Sequence, residues 1–208
     1  MRGSSRHSED QPSGTDKIFN KSIVLRSTQT YGVMIGIGLL VCFYLHNNLS
    51  LVFQFPDDGQ VLIEHGMLIG LGVGLIAVLH ELCKSMFPEQ YQYYRNWISS
   101  VLGRITVPQA LYLALLSAIG EEVLFRAAVQ PYLGVLWTSL ILAFLHVTPR
   151  GLIPVWLLIS FFTNSMVGLI FHYTQSIYPG MIIFFFYSSF ALVRHALKNK
   201  RHPDAELN

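Results

Sequence analysis

The sequence predicts an all-α fold, a polytopic transmembrane bundle of about six membrane helices with both the N- and the C-terminus cytoplasmic. Three observations predict it. Of 208 residues, 52% are hydrophobic and 12% charged, about half the ~25% charge of an average soluble domain. The apolar residues gather into stretches of roughly 17 to 25, the length that crosses a hydrocarbon core. Finally, Lys and Arg fall on alternate connections, as they do where basic residues are kept on the cytoplasmic side of short loops. The same composition excludes a disordered chain. A net charge of +2 with 14 Lys+Arg also excludes a protein built around nucleic-acid phosphates. Cys42 and Cys83 stand apart in apolar stretches and make neither a disulfide framework nor a CxxC metal site.

Residues 1–28 are polar and lack an apolar core followed by a small-residue cleavage site, so they are expected to be a disordered tail and not a signal peptide. Apolar stretches follow at about 30–53, 61–83, 106–133, 135–149, 151–172 and 177–197. The fourth is short for a full crossing and is expected to tilt or to pack inside the bundle. The second carries Gly66, Gly70 and Gly74 at four-residue spacing, a small-residue face that lets a neighbouring helix approach. Residues 85–104, with Tyr91, Tyr93, Tyr94 and Trp97 among charges, read as an amphipathic interfacial segment. Residues 201–208 form a polar C-terminal tail, which leaves 29–200 as one membrane domain without internal repeats. With the N-terminus inside, 13 of the 14 basic residues lie on inner segments, and the outer connections near 54–60, 134 and 173–176 hold none.

The remaining basic residue, Arg126, sits beside Glu121 and Glu122 in Leu-Leu-Ser-Ala-Ile-Gly-Glu-Glu-Val-Leu-Phe-Arg-Ala-Ala. Three ionisable groups in an apolar segment are costly enough to mark a functional site by default; the structural alternative is a triad lining a water-filled cavity. Glu122 and Arg126 are four apart, acid first, the favourable order for an ion pair on one helix face. Glu121 is five residues from Arg126 and off that face. It is thus expected to lack a local counter-charge and to be able to exchange a proton near neutrality. A reversal at Gly134 would leave Glu121 thirteen residues before the turn and His146 twelve after it, at the same depth in two antiparallel helices. A carboxylate and an imidazole facing one cavity could activate water on a peptide bond, Glu121 taking the proton and His146 orienting water or stabilising charge. They could also belong to a metal site, for which further ligands are poor: His80-Glu81 begins an HExxH pattern, but Lys84 stands at the second His. His46 and His172 lie near outer helix ends, and nothing pairs His65 with Glu121 by spacing.

These residues resemble the CAAX-protease and bacteriocin-processing (CPBP) family of intramembrane glutamic-type or metallo endopeptidases, which includes the CAAX prenyl endopeptidases. The likeness runs from Leu102 to Pro149, within a CPBP-like core of about 102–193. It rests on Glu121-Glu122-x-x-x-Arg126 as the EExxxR motif and on His146 as the His of FxxxH. The resemblance implies that Glu121 is the catalytic glutamate activating water, that His146 helps position water and oxyanion, and that Glu122 and Arg126 support the site. Ala127 stands for the family's Gly and Leu142 for the Phe of FxxxH. The last motif, His-x-x-x-Asn or Asp, falls at Phe184 and Ser188, and a Phe cannot donate a hydrogen bond. His195-Ala-Leu-Lys-Asn199 matches that pattern eleven residues later, on the same helix face but ~16 Å nearer the cytoplasm.

The implied function is an intramembrane endopeptidase cleaving a membrane-associated protein or peptide, with no cofactor required if it is glutamic-type and a zinc ion if it is metal-dependent. The lipid bilayer is the expected surrounding and a bacterial inner membrane the expected location; no nucleic acid is involved. A catalytically reduced homologue that binds membrane peptides as an immunity, chaperone or scaffold protein is the alternative that Phe184 and Ser188 favour. A small transporter or channel would use the same buried charges, but the two halves show neither an inverted repeat nor paired broken helices.

Overall fold

A computed structural model describes residues 14–45, 58–145 and 154–201, and every regular element among them is helical. Helix α1 (Gly14–Tyr44) starts well before the expected membrane stretch. Residues 14–28, expected as a loose tail, are therefore helical. No Pro or Gly lies between Gly14 and Gly32, so nothing interrupts the membrane helix as it continues into polar sequence. In α2 (Gly59–Met86) the first turn is capped by Asp58, whose carboxylate accepts from the Gln60 amide at 2.8 Å. Helix α3 (Pro88–Leu102) opens on a proline, whose missing N–H is not needed in the first turn. It stops at Gly103, which has a φ of 55°.

Helix α4 (Val107–Glu121) starts with a capping box in which the Gln109 amide donates to Thr106 Oγ1 and the Thr106 amide to Gln109 Oε1, at 3.4 and 2.9 Å. A π-helical segment, Glu122–Val129, continues it without a break. Next come α5 (Gln130–Leu145), α6 (Pro154–Thr174) and α7 (Tyr178–Arg201). Within α5, Gly134 has φ 73° and ψ 174°, a conformation open to glycine and strained for other residues. Two contacts show that the chain reverses there. Arg126 meets Asn164 and Gln130 meets Gly168, equal steps in the same sense, so the π segment and α6 run parallel. The chain between them must cross back, as the hairpin at Gly134 requires.

Among the described residues five stretches are long and apolar enough to span a membrane, the third being Val107–Leu145 with 39 residues. At ~1.5 Å per residue that is about twice a ~30 Å hydrocarbon core. Divided at Gly134, it gives two segments, Val107–Leu133 and Val135–Leu145. Leu71, Trp137, Phe162 and Phe190 are among the large apolar side chains left exposed, as lipid-facing residues are.

Helices α4 and α7 pack antiparallel, Ala110 sharing a core cluster with Ala196 and Ala118 with Phe184. Ala110, Ala114 and Ala118, buried at four-residue spacing, supply a close-approach face. On α2 the expected face meets no neighbour among the described residues: a Cβ at Gly66, Gly70 or Gly74 would meet nothing within 4 Å. The buried side of α2 carries His65, Gly72, Ile76 and Cys83 instead, with a Cβ at Gly72 falling 2.7 Å from Ile183. The interfacial segment is α3, anchored by Tyr94 stacked on Trp156 of α6 with ring centroids 3.8 Å apart.

Candidate functional site

The π segment begins one residue after Glu121, and its i→i+5 turns are wider than those of α4. Such widenings recur at functional sites. Glycines let three neighbours press against this stretch. A Cβ at Gly38 of α1 would stand 2.9 Å from Val123 Cγ1 and 3.0 Å from Leu124 Cα. One at Gly120 would stand 2.9 Å from the Tyr31 ring, and one at Gly180 of α7 would collide with the Glu122 carboxylate.

Glu122 and Arg126 are paired as their spacing predicts, Nε to Oε1 at 3.4 Å, with side chains 1% and 0% exposed. The guanidinium then reaches two further helices. Its Nη2 donates to the Asn164 carbonyl and to Asn164 Oδ1 at 3.0 and 2.9 Å, and Nη1 donates to Gln130 Oε1 at 3.3 Å. Gln130 Nε2 donates to the Gly168 carbonyl at 2.8 Å, and Asn164 Nδ2 to the Ser160 carbonyl at 2.8 Å and its Oγ at 3.3 Å. A charge buried among apolar helices persists only with such partners, and the planar fork of arginine serves several at once. Neither Glu122 oxygen has a hydrogen bond among the described residues. Besides Arg126, Glu122 has the first turn of α7 at Gly180, where the helix carries partial positive charge.

Glu121 is only partly buried. It is not electrostatically alone, because its charge acts on Arg126 and Glu122 as well as on Tyr31 of α1. The expectation of a carboxylate without a local counter-charge is corrected to that extent; five residues is one hydrogen-bond step in a π-helix, which brings Arg126 nearer than α-helical spacing implies. The Tyr31 ring packs against Gly120, the residue before Glu121.

His146 lies outside the described residues. Phe184, where the sequence register put the third motif, is buried beside Ala118, Val167 and Ile170. Ser188 is half-buried. His195 is engaged elsewhere: Nε2 lies 2.8 Å from the Gly103 carbonyl and Nδ1 3.4 Å from Ser99 Oγ. It fastens the corner between α3 and α4, on the order of 27 Å along α4 from Glu121. The side chain of Asn199 lies outside the described residues. His80 bonds Tyr187 and Tyr91 at 2.6 and 3.4 Å beside the exposed Glu81–Lys84 pair, as a helix end near an interface would. Among the described residues no three His, Cys, Asp or Glu side chains converge.

Two polar partners of Arg126, Gln130 and Asn164, were missed in the sequence, although both carried a signal. Each is an amide inside an apolar stretch, and Gln130 follows Arg126 at helical spacing.

Residues 103–190 match the family model described as Type II CAAX prenyl endopeptidase Rce1-like. The uncharacterized protein YpbD of Bacillus subtilis (strain 168) is 29% identical over 120 residues, 56% of this chain and 61% of that protein. The chain therefore spans less than two thirds of the length of the curated relative it matches. No solved structure matches the chain.

Proposed function

We propose that this chain, whose residues 103–190 match the family model of the Rce1-like type II CAAX prenyl endopeptidases, is an intramembrane endopeptidase acting on a membrane-associated protein or peptide. The carrying observation is the contrast between two adjacent carboxylates inside the matched segment. Glu122 is fully buried against Arg126, whereas Glu121 stays partly accessible at the start of the wide turn. Different surroundings suit neighbouring acids to different tasks.

In this reading Glu121 takes a proton from water as the oxygen attacks the peptide carbonyl. The new C–O bond forms, the C–N bond breaks, and the proton passes to the leaving amine. His146 orients the water or steadies the oxyanion. Glu122, Arg126, Asn164 and Gln130 hold the turn. A carboxylate base needs no cofactor; in a metal-dependent variant His146 would join the glutamates on zinc. The bilayer surrounds the site, the termini are cytoplasmic, and a bacterial inner membrane is the location that the Bacillus relative supports.

A second reading rests on Phe184, which puts a ring where the resembled family has a histidine. A catalytically reduced homologue would bind a membrane peptide and act as an immunity or scaffold protein. One comparison separates the two: mass spectrometry of membrane-protein termini in cells with the native chain and with Glu121→Ala at equal abundance. The endopeptidase reading expects particular cleaved ends to vanish in the mutant. If every end survives while the mutant still rescues a deletion phenotype, the binding reading stands.

A further inference from the structure

Helix α3 is tied down near both ends by histidines from other helices. Near its start, His80 of α2 meets the Tyr187 hydroxyl of α7 at 2.6 Å through Nε2, which turns Nδ1 toward the Tyr91 hydroxyl at 3.4 Å. At its end, His195 Nε2 lies 2.8 Å from the Gly103 carbonyl and Nδ1 3.4 Å from Ser99 Oγ. A carbonyl only accepts, so Nε2 of His195 carries a proton and donates it. Between Tyr91 and Gly103, over about 18 Å, α3 thus crosses the end of the bundle, from the last turns of α2 and the first turn of α6 to the corner where α4 begins beside α7.

Between these ties the hold is slight. Tyr94 is the buried side chain of α3; it stacks on Trp156 and closes over Cys83, Val155 and Ile159. Gln92, Tyr93, Arg95, Asn96, Ser100 and Val101 are exposed. Each end of the helix is a one-residue joint. Phe87, at φ −133° and ψ 58°, is all that separates α2 from α3, and Gly103, at φ 55° and ψ −145°, holds a conformation that favours glycine. A helix with so little buried surface, jointed at both ends and fastened by single hydrogen bonds, belongs to the part of a fold that opens first.

We propose that α3 is a strap that swings as one body on Phe87 and Gly103, shut while His80 and His195 hold it, and that its opening admits the substrate chain from the cytoplasmic end of the bundle. The role as an entrance rests on the endopeptidase reading; the swing itself does not.

Two native cysteines make the test direct. Cys83 is 7% exposed in the cluster that Tyr94 covers, and Cys42, at 0%, lies in another cluster beside the π segment and serves as the control. The full chain in lipid nanodiscs is treated with a water-soluble maleimide, and peptide mass spectrometry follows each thiol. Tyr91→Phe keeps the ring and cuts one tie; His195→Ala cuts the other. Each is expected to raise Cys83 labelling about five-fold, the scale of one hydrogen bond, with Cys42 unchanged. His195→Gln can still donate to the Gly103 carbonyl and should return toward wild type. The His195 variants decide the matter, because Gly103 stands about 13 Å along α3 from Tyr94, and a tie that served only its own corner would leave Cys83 shielded. Wild-type labelling of Cys83 in His195→Ala overturns the proposal, as does an equal rise at Cys42, which would mark general loosening. Should His195→Ala fail to fold, wild-type labelling in Ser99→Ala overturns it equally. In cells, the Glu121-dependent cleaved ends should form several-fold faster with His195→Ala; an unchanged rate in a chain whose Cys83 has become accessible overturns the entrance. If Glu121→Ala abolishes no cleaved end, the endopeptidase reading falls, while Cys83 labelling still decides the strap.

Discussion

Arg126 meets Glu122, Gln130 and Asn164 with one guanidinium at 0% exposure. Arg126→Leu is expected to cost about 3–5 kcal/mol, because it leaves the Glu122 charge buried without its partner. Replacing both, Glu122→Leu with Arg126→Leu, should recover most of that loss, which unfolding in mixed detergent would show. Arg126→Lys keeps the charge but cannot reach two acceptors with a planar fork, and should fall between wild type and Arg126→Leu. Asn164→Leu is milder, about 1–2 kcal/mol, since the Asn164 carbonyl still accepts from Nη2. The Glu122–Arg126 pair was legible from spacing alone, because four residues bring two side chains together on any helix. Asn164 was not, since its partner lies 38 residues away along the chain.

At the scale of the element, the wide turn Glu122–Val129 depends on close approach by α1 and α7 at Gly38 and Gly180. Gly180→Ala drives a methyl into the Glu122 carboxylate and is expected to cost about 1–3 kcal/mol, measurable as a lower melting temperature in detergent. Gly36→Ala, on the same helix as Gly38 but with nothing within 4 Å of its added methyl, should be neutral and serves as the control. Nothing in Glu-Val-Leu-Phe-Arg-Ala-Ala-Val marks a π-helix, because its residues are ordinary α-helix formers. By contrast, Thr106 with Gln109, Pro88 and Gly134 were readable signals, since a cap, a first-turn proline and a positive φ act within a few residues of chain.

Across the whole molecule, the hairpin at Gly134 makes α6 parallel to the π segment and lets Asn164 and Gly168 meet Arg126 and Gln130. Among the described residues, the small-residue face of α2 at Gly66, Gly70 and Gly74 meets no neighbour. Gly70→Leu is expected to leave the monomer's stability within about 0.5 kcal/mol of wild type. Gly72→Leu, which would strike Ile183 and Met166, should destabilise it by about 1–3 kcal/mol. Paired unfolding curves at matched detergent check both, and equal losses would mean that α2 packs by the other face.

Composition and charge placement were enough for the helical membrane class, the approximate stretches and the cluster Glu121, Glu122 and Arg126. Those depend on hydration and local spacing, which any window of the chain displays. Which glycines meet a neighbour, and that Gln130 and Asn164 attend Arg126, were decided by helix packing. That packing joins residues distant in the chain, through contacts that depend on the combined shapes of several helices and on no single stretch of sequence.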